Sequence, residues 1–226
     1  MSVPDAWGVP YYDVVSLCWL AYKENKAKVG DRWRFQTGST WTIRNVYESG
    51  PFRAVLAEQL STELMCIAPS LVLSFSGTDE LLDWPDNISQ GLTGVSGQYF
   101  RALSIAKSSP CQMVVGHSLG GGMASFVAIH TGKCAATVNP AALNIFVGLM
   151  PNSIPNLPNL VGILKHGSRV INYVVPGEAL DILDKVSPSM TRVGKIIHVP
   201  SSGKDLLGIN KHLLNYLIGF TPPTKI

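Results

Sequence analysis

Apolar positions follow two rhythms along this chain. Near the start, Tyr11, Val14, Val15, Cys18, Trp19 and Tyr22 recur at helical spacing, with Pro10 where a helix would open. That spacing predicts an amphipathic first helix with one apolar stripe. Trp41–Val46 is rich in β-branched and aromatic residues and runs toward Gly50-Pro51, the pattern of a strand and a turn. Phe52–Leu60 and Leu64–Ala68 are expected as further strands. From Leu71 the rhythm changes to short, nearly continuous apolar runs: LVLSFS (71–76), CQMVV (111–115), KCAATVN (133–139), RVINYVV (169–175) and KIIHV (195–199). Such runs mark strands covered on both faces. Helices are expected near Gly97–Lys107, at Ser118–His130, where small residues cluster, and at Asp205–Ile218. Alternating strands and helices imply an α/β fold with a mainly parallel sheet between helical layers. In such sheets ligands bind beyond the carboxyl ends of the strands.

No repeat, low-complexity tract or linker divides the 226 residues, so one domain over 1–226 is expected. With 46% hydrophobic and 15% charged residues, the chain is not a disordered one. Its net charge of +3 is too small to argue for nucleic acid and is at most compatible with an anionic membrane surface. No apolar run reaches the ~18–20 residues that span a bilayer. The opening MSVPDAWGVPYY lacks the basic stretch of a signal peptide, so the expectation is a cytoplasmic protein or one exported by a signal-independent route. Cys18, Cys66, Cys111 and Cys134 show no metal-ligand spacing. They are read as free, structural cysteines, and no metal or other cofactor is expected.

Chemistry concentrates at Val114-Val115-Gly116-His117-Ser118-Leu119-Gly120-Gly121-Gly122. This is G-x-S-x-G, placed between an apolar strand and a helix of small residues. A strand that turns so sharply into a helix leaves no room for side chains two before and two after the serine, and Gly116 and Gly120 remove them. The Ser118 oxygen would then stand exposed at the top of the sheet on a strained bend. The Leu119 N–H, at the positive end of the helix, can donate to a developing oxyanion. Upstream, LVLSFS ends in Gly77-Thr78, where a backbone N–H and a hydroxyl offer the second donor. Asp79 is expected to brace that loop through backbone amides.

A nucleophilic serine needs a base and an acid to orient it, and in this arrangement they follow in the order acid, then histidine. The acids after Ser118 are Glu178, Asp181, Asp184 and Asp205, of which Glu178 and Asp181 directly follow the strand RVINYVV. The later histidines are His198 and His212. His198 lies inside an apolar strand and reads as a core or edge residue, whereas His212 follows a loop before HLLNYLIG and is the preferred base. His117 is expected to pack and hydrogen-bond rather than to react. His130 and His166 have no acidic neighbour in the sequence.

SLCWLAY (16–22), LVLSFSGTDELLDWPDNI (71–88), VVGHSLGGGMA (114–124) and TVNPAAL (137–143) together resemble the class 3 lipase family. The closing NYVVPGEALDIL (172–183) and INKHLLNYLIG (209–219) are similar to bacterial phospholipase A1-like members. The resemblance implies an α/β-hydrolase fold that hydrolyses acylglycerols or phospholipids. It implies Ser118 as nucleophile, His212 as base, and Thr78 and Leu119 as the oxyanion hole. For the acid, Glu178 occupies the family's aligned place while Asp181 carries its usual side chain, and both stay open. Ser76 departs from the family, which often has a longer residue before the glycine.

The reaction expected is acyl transfer to Ser118 and hydrolysis of the acyl-enzyme, on a lipid or phospholipid ester. Leu81, Leu82, Trp84 and Ile88, and the stretch from Ile145 through PNSIPNLPNLVGIL (151–164), are candidates for a surface that meets a membrane transiently. Two alternatives share these residues: an esterase of small soluble esters, and a catalytically silent hydrolase fold used for binding.

Overall fold

A computed structural model describes residues 3–60, 69–77, 97–144, 157–181, 190–203 and 213–226. The expected strand Leu64–Ala68 lies outside them. Apolar runs become strands wherever neighbouring residues can be buried on opposite sides. Val72 and Leu73 enter different cores, as do Val114 and Val115. The strands are β1 (Arg32–Arg34), β2 (Thr40–Ser49), β3 (Phe52–Gln59), β4 (Leu71–Phe75), β5 (Met113–His117), β6 (Cys134–Val138), β7 (Leu143–Asn144), β8 (Val170–Val174), β9 (Met190–Thr191), β10 (Lys195–His198) and β11 (Thr224–Lys225). Nine of them form one sheet in the order β10-β8-β6-β5-β4-β3-β2-β1-β11, while β7 pairs with β9 alone. β4, β5, β6, β8 and β10 are parallel to their neighbours in that half. β1, β2, β3 and β11 extend it antiparallel. The short pieces β1 and β11 carried no apolar run that would have announced them.

Helix α1 (Tyr11–Ala21) covers one face of the sheet. The other face is covered by α2 (residues 97–108) and α3 (Leu119–Thr131), through Ala102, Ala106, Met123, Phe126 and Val127 among others. α4 (Leu157–His166) packs beside α3 through Ile163 and exposes Val161 and Leu164. It occupies the later part of one expected membrane-facing stretch. Residues 78–96 and 145–156, which hold the rest of both stretches, are outside the described set. Among the described residues no helix is long and apolar enough to cross a membrane. Cys18, Cys111 and Cys134 are free thiols.

Two expectations need correction. α1 is not a surface helix with one apolar stripe. Asp13 and Ser16, on its supposed polar side, are fully buried. A hairpin turn covers that side, and Thr37 Oγ1, Ser39 Oγ and Trp41 Nε1 all donate to the Asp13 carboxylate. Nor does a helix run to Ile218. Among the described residues, Leu213 and Leu217 are extended and Leu214–Tyr216 makes a single 3-10 turn. Leu214 and Leu217 are buried all the same. The segment is held by other parts of the chain: Ser202 N donates to Tyr216 O, and Tyr12 Oη donates to Ile218 O.

α3 touches the sheet with no side chain between. A Cβ on Gly120 would lie 2.2 Å from the Phe75 carbonyl oxygen, and one on Gly116 would lie 2.2 Å from the Gly120 carbonyl oxygen. Both obstacles are backbone and cannot swing aside. Gly120→Ala is therefore expected to lower stability by roughly 1–3 kcal/mol, the range for overpacking, read as a lower urea midpoint. A midpoint equal to wild type would remove this account of the glycine.

Burial pushes the Asp13 carboxyl above the usual carboxylate range, and its three donors only partly offset this; the Asp5 charge adds to the rise. A raised folded-state value means that the folded protein takes up this proton first. Stability relative to Asp13→Asn is expected to grow as pH falls toward the ordinary carboxylate value of about 4. Urea unfolding of both proteins across that window checks it; a constant difference between them would refute it.

Candidate active site

The bend after β5 forces Ser118 to φ 58° and ψ −127°, a region that residues with a Cβ seldom occupy. Its backbone is pinned on both sides. Ser118 N donates to Val138 O at 3.2 Å, and Ser118 O accepts from Gly122 N at 3.1 Å and Ala141 N at 2.9 Å. α3 begins at Leu119, so the first-turn amides, which have no intrahelical acceptor, lie beside the serine. This is the strand–bend–helix geometry expected for G-x-S-x-G, but Ser118 is buried rather than exposed as the sequence suggested.

The end of β4 comes up against this bend. A Cβ on Gly77 would stand 3.1 Å from the Ser118 Cβ, 3.1 Å from the His117 carbonyl oxygen and 2.5 Å from Tyr22 Oη. Gly77 thus brings the end of β4 against Ser118 because it has no side chain. Thr78 lies outside the described residues.

His117 is buried and its Nδ1 shares a 2.6 Å hydrogen bond with Tyr22 Oη. The imidazole is engaged with the end of α1, as expected of a packing residue. His198 ends β10, three positions across the sheet from β5, and is exposed. At ~4.8 Å per strand that is roughly 14 Å of sheet, too far for His198 to serve the serine directly. His130 sits at the opposite end of α3 from Ser118. His212 lies outside the described residues.

Both candidate acids follow β8 and are held together. Glu178 is fully buried; Oε2 accepts from Leu180 N at 2.9 Å, and Oε1 accepts from Asp181 N at 2.7 Å and from Arg192 Nη2 at 2.7 Å. Asp181 Oδ2 accepts from Gly177 N at 2.8 Å, and its Oδ1 lies 3.5 Å from Arg192 Nη1. Arg192 Nε also donates to Pro140 O at 3.3 Å, and Pro140 packs against Gly121 of α3. One guanidinium therefore joins the loop of Glu178 and Asp181 to the Ser118 bend.

Sequence reasoning missed three contributors here. Arg192 sits in SMTRVGK with nothing local to mark it. Asn139 takes φ 41° at the end of β6, and its Oδ1 accepts from Val175 N at 2.9 Å, tying β6 to the strand that carries the acids. An asparagine before Pro140 was a usable turn signal. Tyr22 was counted only as part of an apolar stripe, although a buried tyrosine needs a partner for its hydroxyl.

Comparison with known proteins follows this geometry. The Tle-like phospholipase domain, a phospholipase-like family model, matches residues 39–219. An extracellular phospholipase A1 of Serratia liquefaciens is 38% identical over 78 residues, 32% of this chain and 24% of that protein. The alignment thus spans about a quarter of the relative's length. Among solved structures, the Rhizomucor miehei lipase–propeptide complex superposes with a TM-score of 0.54 at 13% identity, covering 84% of this chain and 66% of that one. A triacylglycerol lipase of Penicillium expansum gives 0.48 at 13% identity, covering 83% and 77%. The Rhizomucor likeness carries the fold assignment, α/β-hydrolase, as the elbow implied. With the family model extending from β1–β2 to the closing segment, the chain belongs to the Tle-like phospholipase domain family.

Proposed function

We propose that this protein hydrolyses carboxylic esters of phospholipids, with Ser118 as nucleophile and His212 as general base, and that it has phospholipase A1 activity. The observation that carries the reading is the strained Ser118 bend at the head of α3, with Gly77 pressed against it. Family membership and the Serratia relative, named a phospholipase A1, support the lipid class.

In this reaction the Ser118 hydroxyl attacks the ester carbonyl while His212 takes its proton. The Leu119 N–H and the Thr78 N–H and hydroxyl hold the oxyanion; each such donor is worth about 2.7–4 kcal/mol of barrier. Collapse of the tetrahedral species expels the glycerol alcohol, which His212 protonates. Water, deprotonated by His212, then adds to the acyl-enzyme, and the fatty acid leaves with Ser118 restored.

The acid loop supports the same reading through its charge. A carboxylate beside the imidazole would stabilise the imidazolium that forms on His212. Glu178 is the better orienting acid. It is fully buried and its oxygens are fixed by backbone amides and Arg192. Asp181 is partly exposed and caps Gly177.

Ser118→Ala is expected to lower kcat by roughly 10⁶ and to abolish labelling by a fluorophosphonate probe. Wild-type protein with diacyl phospholipid is expected to release fatty acid from the first glycerol position, resolved by product analysis. Hydrolysis confined to short soluble esters would remove the lipid assignment. Glu178→Gln is expected to cost about 10⁴ in kcat, against a small loss for Asp181→Asn; the reverse order would transfer the role to Asp181. Arg192→Met removes a cation from the buried Glu178 and from the partly exposed Asp181 and is expected to destabilise by about 3–5 kcal/mol, measured by denaturant unfolding. An unchanged midpoint would mean that Arg192 does not hold the loop.

A further inference from the structure

The rim that carries Ser118 has a basic flank. α1 ends at Ala21, and after Tyr22 the chain makes a 3-10 turn over Lys23–Asn25 and reverses at Lys26, whose φ is 53°. Lys23, Lys26 and Lys28 surround a groove of about 350 Å³, with Val29, Val46, Glu48 and Arg53 in its walls. All three lysines are exposed, and Val29 at the end of the turn is 61% exposed.

The position of this groove is set by buried bonds. Arg53 donates to the carbonyls of Leu20, Ala21, Tyr22 and Ala27, which fixes the lysine turn against β3. Its own carbonyl accepts from Ser76 N and Ser76 Oγ, one residue before Gly77. Tyr22 Oη, next in sequence to Lys23, reaches His117. The groove therefore borders the same end of the parallel strands as Ser118.

Charge is concentrated there. Residues 23–29 hold Lys23, Lys26 and Lys28 against Glu24, an excess of two out of the chain's net +3. Nearby acids are engaged: Glu48 pairs with Arg53 at 2.7 Å, and Asp31 pairs with Lys225 at 2.7 Å.

We propose that the Lys23–Val29 turn is the surface by which the protein docks on an anionic phospholipid bilayer, its ammonium groups meeting lipid phosphates and Val29 entering the interfacial layer. The exposed apolar residue among the lysines favours a membrane over a nucleic acid, and so does the shared rim. Seating this flank on the bilayer turns the Ser118 end of the sheet toward the lipid. That orientation rests on the reading of Ser118 as nucleophile; the docking itself does not.

The test is co-sedimentation with vesicles of ether-linked lipids, which have no ester to cleave, made of phosphatidylcholine alone or mixed equally with phosphatidylglycerol. Wild type is expected to prefer the anionic vesicles, and the preference is expected to fall as salt is raised. Replacing the turn's lysines by Lys23→Gln, Lys26→Asn and Lys28→Gln is expected to weaken anionic binding on the order of a hundredfold; asparagine tolerates the left-handed backbone at position 26. The same variant is expected to hydrolyse a monomeric short-chain ester at the wild-type rate. Lys107→Gln, Lys165→Gln and Lys195→Gln remove equal charge from the opposite end of the strands and are expected to keep most of the binding.

Equal loss in both triple variants would overturn the proposal, as would salt-insensitive wild-type binding or wild-type binding to DNA but not to anionic vesicles. Absence of ester hydrolysis by wild type, with vesicle binding still lost in the turn variant, would overturn the enzymatic reading and leave the docking surface standing.

Discussion

At the centre of the molecule a helix and two strands meet as bare backbone. Gly116, Gly120 and Gly77 each stand where a Cβ would strike a main-chain or fixed neighbouring atom. Because α3 lies that close to β4 and β5, the chain between them has no room for a gradual turn, and Ser118 is driven to a positive φ. The serine's closeness to the end of β4 and the helix amides beside it are both products of this one approach. Strain at a single residue is sustained because the surrounding backbone hydrogen bonds from Val138, Ala141 and Gly122 over-determine its position.

Two buried arginines extend that constraint to the flanks. On one side, Arg53 holds the end of α1 and the turn after it, and its carbonyl holds Ser76. On the other side, Arg192 holds Glu178 and Pro140, with Asp181 close by. A guanidinium suits both tasks, since its planar fork of donors can satisfy several oxygens at once in a dry setting. The rim around Ser118 is thus built from loops that owe their order to charge-assisted hydrogen bonds rather than to regular secondary structure.

The five parallel strands, α1, α3 and the serine bend were legible from the sequence because each has a local cause. A strand buried on both faces must be apolar at consecutive positions, and a backbone-to-backbone crossing must be glycine. Glu178 and Asp181 were legible as a pair for a similar reason: they are the first acids beyond an apolar strand in a fold that delivers loops to that end. Where the sequence misled, a distant segment had intervened. Asp13 and Ser16 looked like a wet helix face until the 37–41 hairpin covered them. Leu213–Leu217 looked helical because two apolar residues three apart can also be buried by a 3-10 turn tied to Ser202.

What the residues determined unaided, then, is the layered α/β-hydrolase architecture and the place of the Ser118 bend, since both follow from short-range patterns of size and polarity. Tertiary structure alone decided which polar groups share a partner: Tyr22 with His117, Arg53 with the end of α1, Arg192 with the acid loop. Those pairings join residues that are between 14 and 95 positions apart. No local rule encodes them, because a buried charge or hydroxyl selects its partner only after the sheet has brought the candidates together.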